Sequence, residues 1–373
     1  MDSIDNILDN APSALASVAQ SKVVHLGVDL GTNTTVLCAS SDGDPFHLAK
    51  DVVTTVVGIP KQGIIPGILP ADAEVLFGEE AIEYRLHLDL KSPLREGFVD
   101  DFEACRLFAA HLRDLVGVDE ADQIWGVVGA PANASAEREK TIRAAVSGFL
   151  DRLLIVPEPF LAAMGLREDE GFRGVHGAQV DPTKHSLIVD IGAGTTDLCL
   201  VRGYFPTAED LISINRAGDF VDSLVGNAIR RRYPDVRLTN VTVRNIKEQN
   251  SFVPGFERDA RVKIYVDGRP RTIDFAPMIA EACDALVPLI VDGIKELLKR
   301  CDSDSAVNVM ENIIVTGGGS QIHGLPQKIE AILHEEEYDC ARCIVPADYK
   351  RLVARGALKI AENVREDQWQ FAI

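Results

Sequence analysis

A ten-residue segment occurs twice in this chain, and the duplication limits its fold more than any other feature does. Residues 29–38 read DLGTNTTVLC and residues 190–199 read DIGAGTTDLC, identical at Asp, Gly, both Thr, Leu and Cys. Val23 to Val28 leads into the first copy and Thr34 to Ala39 leaves its turn. Ser186 to Val189 and Thr195 to Val201 do the same for the second. Runs so rich in β-branched residues read as strands, so each copy is strand, tight turn, strand. One joint used twice predicts a duplicated fold with two related lobes.

Between the copies, Ile124 to Val128 is another β-like run ending in Gly129-Ala130-Pro131, and residues 135–150 predict a helix capped by Ser135. Downstream, Arg261 to Phe275 predicts a hairpin turning at Asp267-Gly268. Residues 278–300 predict one long amphipathic helix containing Pro288, and Asn312 to Val315 a buried strand running into Thr316-Gly317-Gly318-Gly319-Ser320. Alternating strands and helices give an α/β class with mixed sheets covered by helices. A chain of 373 residues that is 46% apolar can bury a substantial core and suits about two domains. Residues 1–21 read as an extension outside that fold. Ile4, Leu8, Ala11, Leu15 and Val18 share a helical face, but Asp2, Asp5 and Asp9, with no cation before Lys22, disfavour a membrane-surface helix. The expectation is a loose or partner-binding tail. Residues 166–184, charged and punctuated by Gly171, Gly174, Gly177 and Pro182, are the clearest loop.

The net charge of −19 argues against nucleic acid as a partner, since the only basic run is Arg230 to Arg232. Like-charged subunits repel, so self-assembly is expected to need salt or divalent cations. No apolar run reaches the roughly 20 residues of a membrane span and the start lacks a signal-peptide pattern, which predicts a cytoplasmic protein without direct membrane insertion. Seven scattered cysteines suit reduced thiols. Cys340 and Cys343 form one CxxC, but a zinc site would want a second pair.

Glycine-bearing turns hold phosphates through backbone N–H groups, because glycine permits close approach. Gly31, Thr32, Asn33 and Thr34 in one copy, and Gly192, Ala193, Gly194 and Thr195 in the other, meet that need. There is no GxxxxGK[ST], and Asp197 stands where a dinucleotide fingerprint wants its third glycine. Asp29 and Asp190 each end a buried strand just before the turn. A carboxylate there either caps its own turn or faces a cation, and its repetition favours Mg²⁺ carried by a nucleotide.

The set DLGTNTT, DIGAGTTD and IVTGGGS resembles the two phosphate motifs and the adenosine motif of the actin, heat-shock chaperone and sugar-kinase superfamily. Phe77-Gly78-Glu79-Glu80-Ala81, followed by Asp89-Leu90-Lys91-Ser92-Pro93-Leu94-Arg95-Glu96-Gly97, is similar to the actin stretch in which "GDEA" precedes "LKYPIEHG". Val57-Gly58-Ile59-Pro60-Lys61 resembles actin's "VGRPR". Pro157-Glu158-Pro159-Phe160, Ala217-Gly218-Asp219-Phe220-Val221-Asp222 and Lys247-Glu248-Gln249 extend the likeness to bacterial actins that build magnetosome filaments, over nearly all of residues 23–365.

That resemblance implies an actin-like two-lobed fold with duplicated, ribonuclease H-like cores and two small subdomains. Lobe I would span 22–165 with subdomain 2 at about 53–92, and lobe II 166–345 with subdomain 4 at about 203–292. Residues 346–373 would return to lobe I. It implies ATP, leaving ADP after hydrolysis, bound with Mg²⁺ at Asp29 and Asp190. Glu158 and Asp190 would be catalytic, the first orienting the attacking water and accepting its proton. Lys247 and Glu248 would bracket the ribose, while Gly317, Gly318 and Gly319 would let the backbone pass the adenosine, with Ser320 opening the next helix. The implied partner is the chain itself, in a filament turned over by hydrolysis, with adaptor proteins on an organelle or membrane. A non-polymerising ATPase scaffold and a small-molecule kinase on the same fold stay open as alternatives.

Overall fold

In the computed structural model, residues 22–119, 121–167, 172 and 180–372 are described. The 1–21 extension and most of the 166–184 loop lie outside them.

The first duplicated joint forms β1 (Val23–Leu30) and β2 (Thr34–Ser41), antiparallel, with Asp29 opposite Val36. The chain continues through β3 (Asp44–Phe46) and β4 (Val52–Thr54), both on β2. It then builds a small three-stranded sheet from β5 (Val57–Pro60), β6 (Leu76–Phe77) and β7 (Leu88–Lys91), with α1 (Gly78–Glu83) against it. Val56, Leu69, Leu76, Ala81 and Leu88 give that sheet its own small core. After a short hairpin, β8 (Leu94–Arg95) and β9 (Phe98–Val99), comes α2 (Phe102–Val116). Asp101 caps α2 by accepting from the Ala104 N–H, and Gly117 ends it at φ 68°. The expected central run is β10 (Gln123–Ala130), parallel to β1, and β11 (Arg152–Pro157) lies parallel to β10. The helix between them, α3 (Ala136–Val146), is capped by Ser135 as expected but stops four residues short of the expected end, where Ser147 and Gly148 are poor helix formers.

The second joint forms β12 (Ser186–Ile191) and β13 (Thr196–Val201), every residue buried. With β14 (Leu211–Ile214), β17 (Ile313–Thr316) and β18 (Cys343–Ile344) they make a five-stranded sheet in the order β14-β13-β12-β17-β18. Between β14 and β17 lie α5 (Gly218–Arg232), α6 (Asn240–Asn250) and the expected hairpin of β15 (Arg261–Val266) and β16 (Arg269–Asp274). The helix expected over 278–300 is instead two, α7 (Ala276–Asp284) and α8 (Val287–Leu298). Pro288 has no N–H to give the Asp284 carbonyl, so the hydrogen-bond ladder breaks at Ala285-Leu286 although the apolar face runs on. Next comes the short α9 (Ser303–Met310). After β17, Ser320 does not open an α-helix. It sits in a single tight 3₁₀ turn, Gly318–Gln321, and α10 (Leu325–Glu335) begins five residues later, after Gly324 at φ 79°.

α11 (Leu352–Asn363) returns to the first sheet, packs on β1 and α4 (Glu158–Leu166), and leads to β19 (Gln370–Phe371) on the β11 edge. α4 and α11 cross where both have glycine. A Cβ on Gly165 would stand 2.1 Å from the Leu352 carbonyl oxygen, and one on Gly356 would stand 1.9 Å from that of Leu161. The crossing joins the halves, because Leu161, Leu352 and Val353 share a core with Ile188, Cys199 and Ile314 of the second sheet. The molecule is therefore an α/β fold of two lobes, and the cleft lies between two copies of one hairpin.

Candidate active site between the lobes

All sixteen residues singled out above line one cavity of about 470 Å³. Asp29, Gly31 to Thr34 and Glu158 form one wall, and Asp190 with Gly192 to Thr195 faces them. Lys247, Glu248 and Gly317 to Gly319 line it as well. The turns are tight in ways that require glycine. A Cβ at Gly31 would sit 2.5 Å from the Thr34 carbonyl oxygen, and one at Gly194 only 2.4 Å from the Cα of Glu96. Gly317, at φ 75°, passes so close that a Cβ would meet Asp190 Oδ1 at 2.3 Å.

Hydrogen bonds fix the first turn to its own lobe. The Gly97 N–H donates to Thr32 Oγ1 at 2.9 Å, and the Thr55 hydroxyl donates to the Gly31 carbonyl at 2.8 Å. Two others cross between lobes. The Ala132 N–H donates to Asp197 Oδ1 at 3.0 Å, and Asn33 Nδ2 donates to Asp219 Oδ1 at 3.3 Å.

Acidic crowding dominates the electrostatics. Burial pushes the Asp29 carboxyl up to about 7. Glu158, which keeps some exposure to the cavity, is held well above the carboxylate range, first by burial and then by Asp29, Asp197 and Asp190. Asp190 is raised likewise, by burial and then by Asp29 and Asp197. Burial also raises Asp197. Such a group of carboxylates stays ionised only if a cation compensates it. Lys247 is already engaged, with its buried ammonium 3.1 Å from Asp222 Oδ1. That contact occupies one of the three ammonium donors and fixes the side chain beside the cavity. Among the described residues no three His, Cys, Asp or Glu side chains gather closely enough to cage a metal ion, so a metal here would rest largely on water and a bound anion.

Asp197 was visible in the sequence only as the residue that spoils a dinucleotide fingerprint. In the structure it lies directly opposite Asp190 across β12 and β13, where the first lobe places Val36 opposite Asp29. The gapless repeat aligned those same two positions, and that mismatch was the available signal. Gly97, Gly218, Tyr349 and Lys350 also line the cavity, and nothing local in the sequence marked the last two.

Residues 23–368 match the family model described as MreB/Mbl protein. The chain is 32% identical over 352 residues to the actin-like protein MamK of Paramagnetospirillum magneticum, covering 93% of this chain and 94% of that protein. Among solved structures it is similar to a MamK double helical filament, with a TM-score of 0.81 and 31% identity, covering 92% of this chain and 100% of that one. It is similar also to a non-polymerising MamK mutant bound to AMPPNP, with a TM-score of 0.62, 32% identity and coverage of 92% and 99%.

Proposed function

The chain belongs to the MreB/Mbl family of actin-like proteins, and from that premise we propose that it binds and hydrolyses Mg-ATP between its lobes and assembles into a dynamic cytoskeletal filament. The observation that carries this reading is the convergence of two copies of one turn, with Asp29, Asp190 and Glu158, on a single cavity. The AMPPNP held by one MamK structure and the filament formed in another support the ligand and the self-association.

In this reading the backbone N–H groups of Gly31 to Thr34 and of Gly192 to Thr195 cradle the phosphates from opposite sides. Gly317 to Gly319 carry the chain past the adenosine, Glu248 accepts from the ribose hydroxyls, and the stem of Lys247 flanks the ring while Asp222 holds its ammonium. Asp29 and Asp190, hard oxygen donors that pair with no cation among the described residues, fit magnesium bound largely through retained waters. When bound, magnesium would supply charge neutralisation for the phosphates and for the crowded carboxylates. Glu158, at the start of α4, orients the attacking water and takes its proton, and Asp190 helps to hold that water. Closure of the two lobes excludes bulk water from the phosphates.

The proposed division is lobe I at 22–165 and lobe II at 166–345, with small subdomains at about 53–92 and 203–292 and a return to lobe I from 346. The protein would act in the cytoplasm, with itself as principal partner and adaptors linking the filament to an organelle such as the magnetosome. The test is sedimentation with Mg-ATP alongside phosphate release, for the wild type and Glu158→Ala. Nucleotide-dependent pelleting, with the variant still pelleting but releasing phosphate about a hundredfold more slowly, is the expected result. A wild type that hydrolyses ATP and never pellets would overturn the filament and turn attention to a phosphoryl acceptor.

A further inference from the structure

The two copies of the repeat hold their turns by one scheme built from different atoms. In the second lobe the turn's carbonyls are met by backbone donors at the start of α5. The Gly218 N–H donates to the Gly192 carbonyl at 3.2 Å, and the Asp219 N–H donates to the Ala193 carbonyl at 2.8 Å. The segment that supplies those donors is held in turn by the repeat itself, because the Thr196 hydroxyl donates to the Arg216 carbonyl at 2.8 Å. Thr196 is the second threonine of DIGAGTTD, and its counterpart in the first copy is Thr35.

Thr35 meets a side chain where Thr196 meets backbone. Its hydroxyl lies 2.9 Å from that of Thr55, and both residues are buried. The Thr55 hydroxyl is 2.8 Å from the carbonyl oxygen of Gly31, the counterpart of Gly192. A hydroxyl has one hydrogen and a carbonyl has none to give, so Thr55 donates to Gly31 and Thr35 donates to Thr55. The Thr55 backbone N–H also donates, to the Asn33 carbonyl at 3.0 Å. A single residue just after β4 therefore holds the first turn at two of its carbonyls. That residue's own segment is fixed from the small three-stranded subdomain. The N–H and hydroxyl of Thr54 donate to Glu79 Oε1 at 3.2 and 2.7 Å, and Lys50 pairs with the same carboxylate.

These bonds decide where the turn's own donors point. In a trans peptide the C=O and the N–H of the next residue are antiparallel. Carbonyls of Gly31 and Asn33 drawn back to Thr55 therefore turn the N–H groups of Thr32 and Thr34 the other way. Thr32 and Thr34 line the cavity, and Thr55 is not among the described residues that do. We propose that Thr55 is a positioning residue for ligand binding, holding the first turn with the Thr32 and Thr34 amides toward the cavity, as the Gly218 and Asp219 N–H groups hold the second. The inference rests on the reading of this cavity as the seat of a nucleotide's phosphates. Without the hydroxyl, the Gly31 carbonyl loses a buried donor and the Gly31–Thr32 peptide is free to rotate. An anion would then face a carbonyl oxygen where it had faced an N–H, so the loss falls on binding and not on folding alone.

The test is equilibrium binding of mant-ATP with magnesium to full-length wild type, Thr55→Val and Thr55→Ser, at protein concentrations too low to pellet and well below each melting temperature. Every molecule is then folded, so a merely structural role for Thr55 would leave Kd unmoved. Thr55→Val, which keeps the shape and removes the donor, is expected to raise Kd about tenfold, while Thr55→Ser, which restores the donor, stays within about twofold of wild type. Thr35→Val leaves Thr55 its hydrogen for Gly31 and should cost about threefold or less. If the valine variant does not fold, Thr55→Ala removes the same hydroxyl and carries the same prediction. The proposal is overturned if the folded variant without the hydroxyl binds mant-ATP as wild type does. It is overturned also if serine weakens binding as much as valine, since the methyl group and not the donor would then be what matters. A wild type that binds no mant-ATP defeats the nucleotide reading itself, and this role for Thr55 with it.

Discussion

Asn33 in the first turn donates its side-chain amide across the cleft to Asp219 Oδ1, 3.3 Å away at the start of α5. Asp219 is held in turn by Arg244, which also bonds Asp222, the partner of Lys247. A chain of polar contacts therefore runs from the first turn to Lys247 in the cavity lining, and it spans the cleft without using either aspartate that precedes a turn.

Removing this link should loosen the closed state more than it unfolds the protein. A hydrogen bond to a charged acceptor contributes about 1.5 kcal/mol, less at this length. Asn33→Ala is expected to speed release of a fluorescent ATP analogue by roughly three- to tenfold in stopped flow, with a melting temperature within a few degrees of wild type. An unchanged release rate would mean that the link does not gate the cleft.

The crowded carboxylates give the ligand-free protein a pH dependence of definite sign. Asp29 titrates near 7 in the fold against an ordinary 3.8, so the folded form keeps its proton across the interval between. The stability it provides is fully present below the lower value and is lost as pH rises through about 7. Melting temperature without nucleotide or magnesium is expected to fall between pH 5.5 and 8. Asp29→Asn should flatten that slope and melt higher than wild type at pH 8. Mg-ATP should flatten the wild-type slope as well, and an Asn variant that keeps the full slope would remove Asp29 as its source.

Much of this architecture was legible because the informative residues were local. Each duplicated joint carries its own strands, turn and aspartate within about a dozen residues, and strand periodicity with glycine placement needs nothing from elsewhere in the chain. What escaped depends on partners distant in sequence or on a missing hydrogen bond. The break at Ala285-Leu286 was hidden because the apolar stripe continues through Pro288. The engagement of Lys247 depends on Asp222, one helix earlier, and the role of Asp197 emerges only when β12 and β13 are paired. Tyr349 and Lys350 reach the cavity through the return of the chain to lobe I, which local pattern does not encode.

The join between the halves should be unforgiving at a single methyl group. With the Leu161 carbonyl oxygen 1.9 Å from where a Cβ would stand, Gly356→Ala forces α4 and α11 apart, although alanine is the better helix former. Overpacking of this kind costs about 1–3 kcal/mol or more. Urea denaturation should show that loss, whereas Gly148→Ala, with open space around it, should be neutral or slightly stabilising. Equal stability of the two variants would mean that the crossing is looser than its geometry implies.

Asp197 allows the two halves of the repeat to be compared directly by substitution. Its carboxylate faces Asp190 across the strands and also accepts the Ala132 N–H, so it contributes both repulsion and a hydrogen bond between lobes. Asp197→Asn keeps an acceptor and removes the charge, and in the absence of magnesium it should melt above wild type at pH 8. Asp197→Val copies the first lobe, where Val36 faces Asp29, but leaves the Ala132 N–H without its acceptor, at a cost of about 1–3 kcal/mol. The valine variant should therefore melt below the asparagine variant despite equal relief of repulsion. If the two melt together, the bond to Ala132 contributes nothing and the charge alone distinguishes this hairpin from its copy. If valine melts lower and also releases nucleotide faster, the same bond both joins the lobes and holds the second turn against the first.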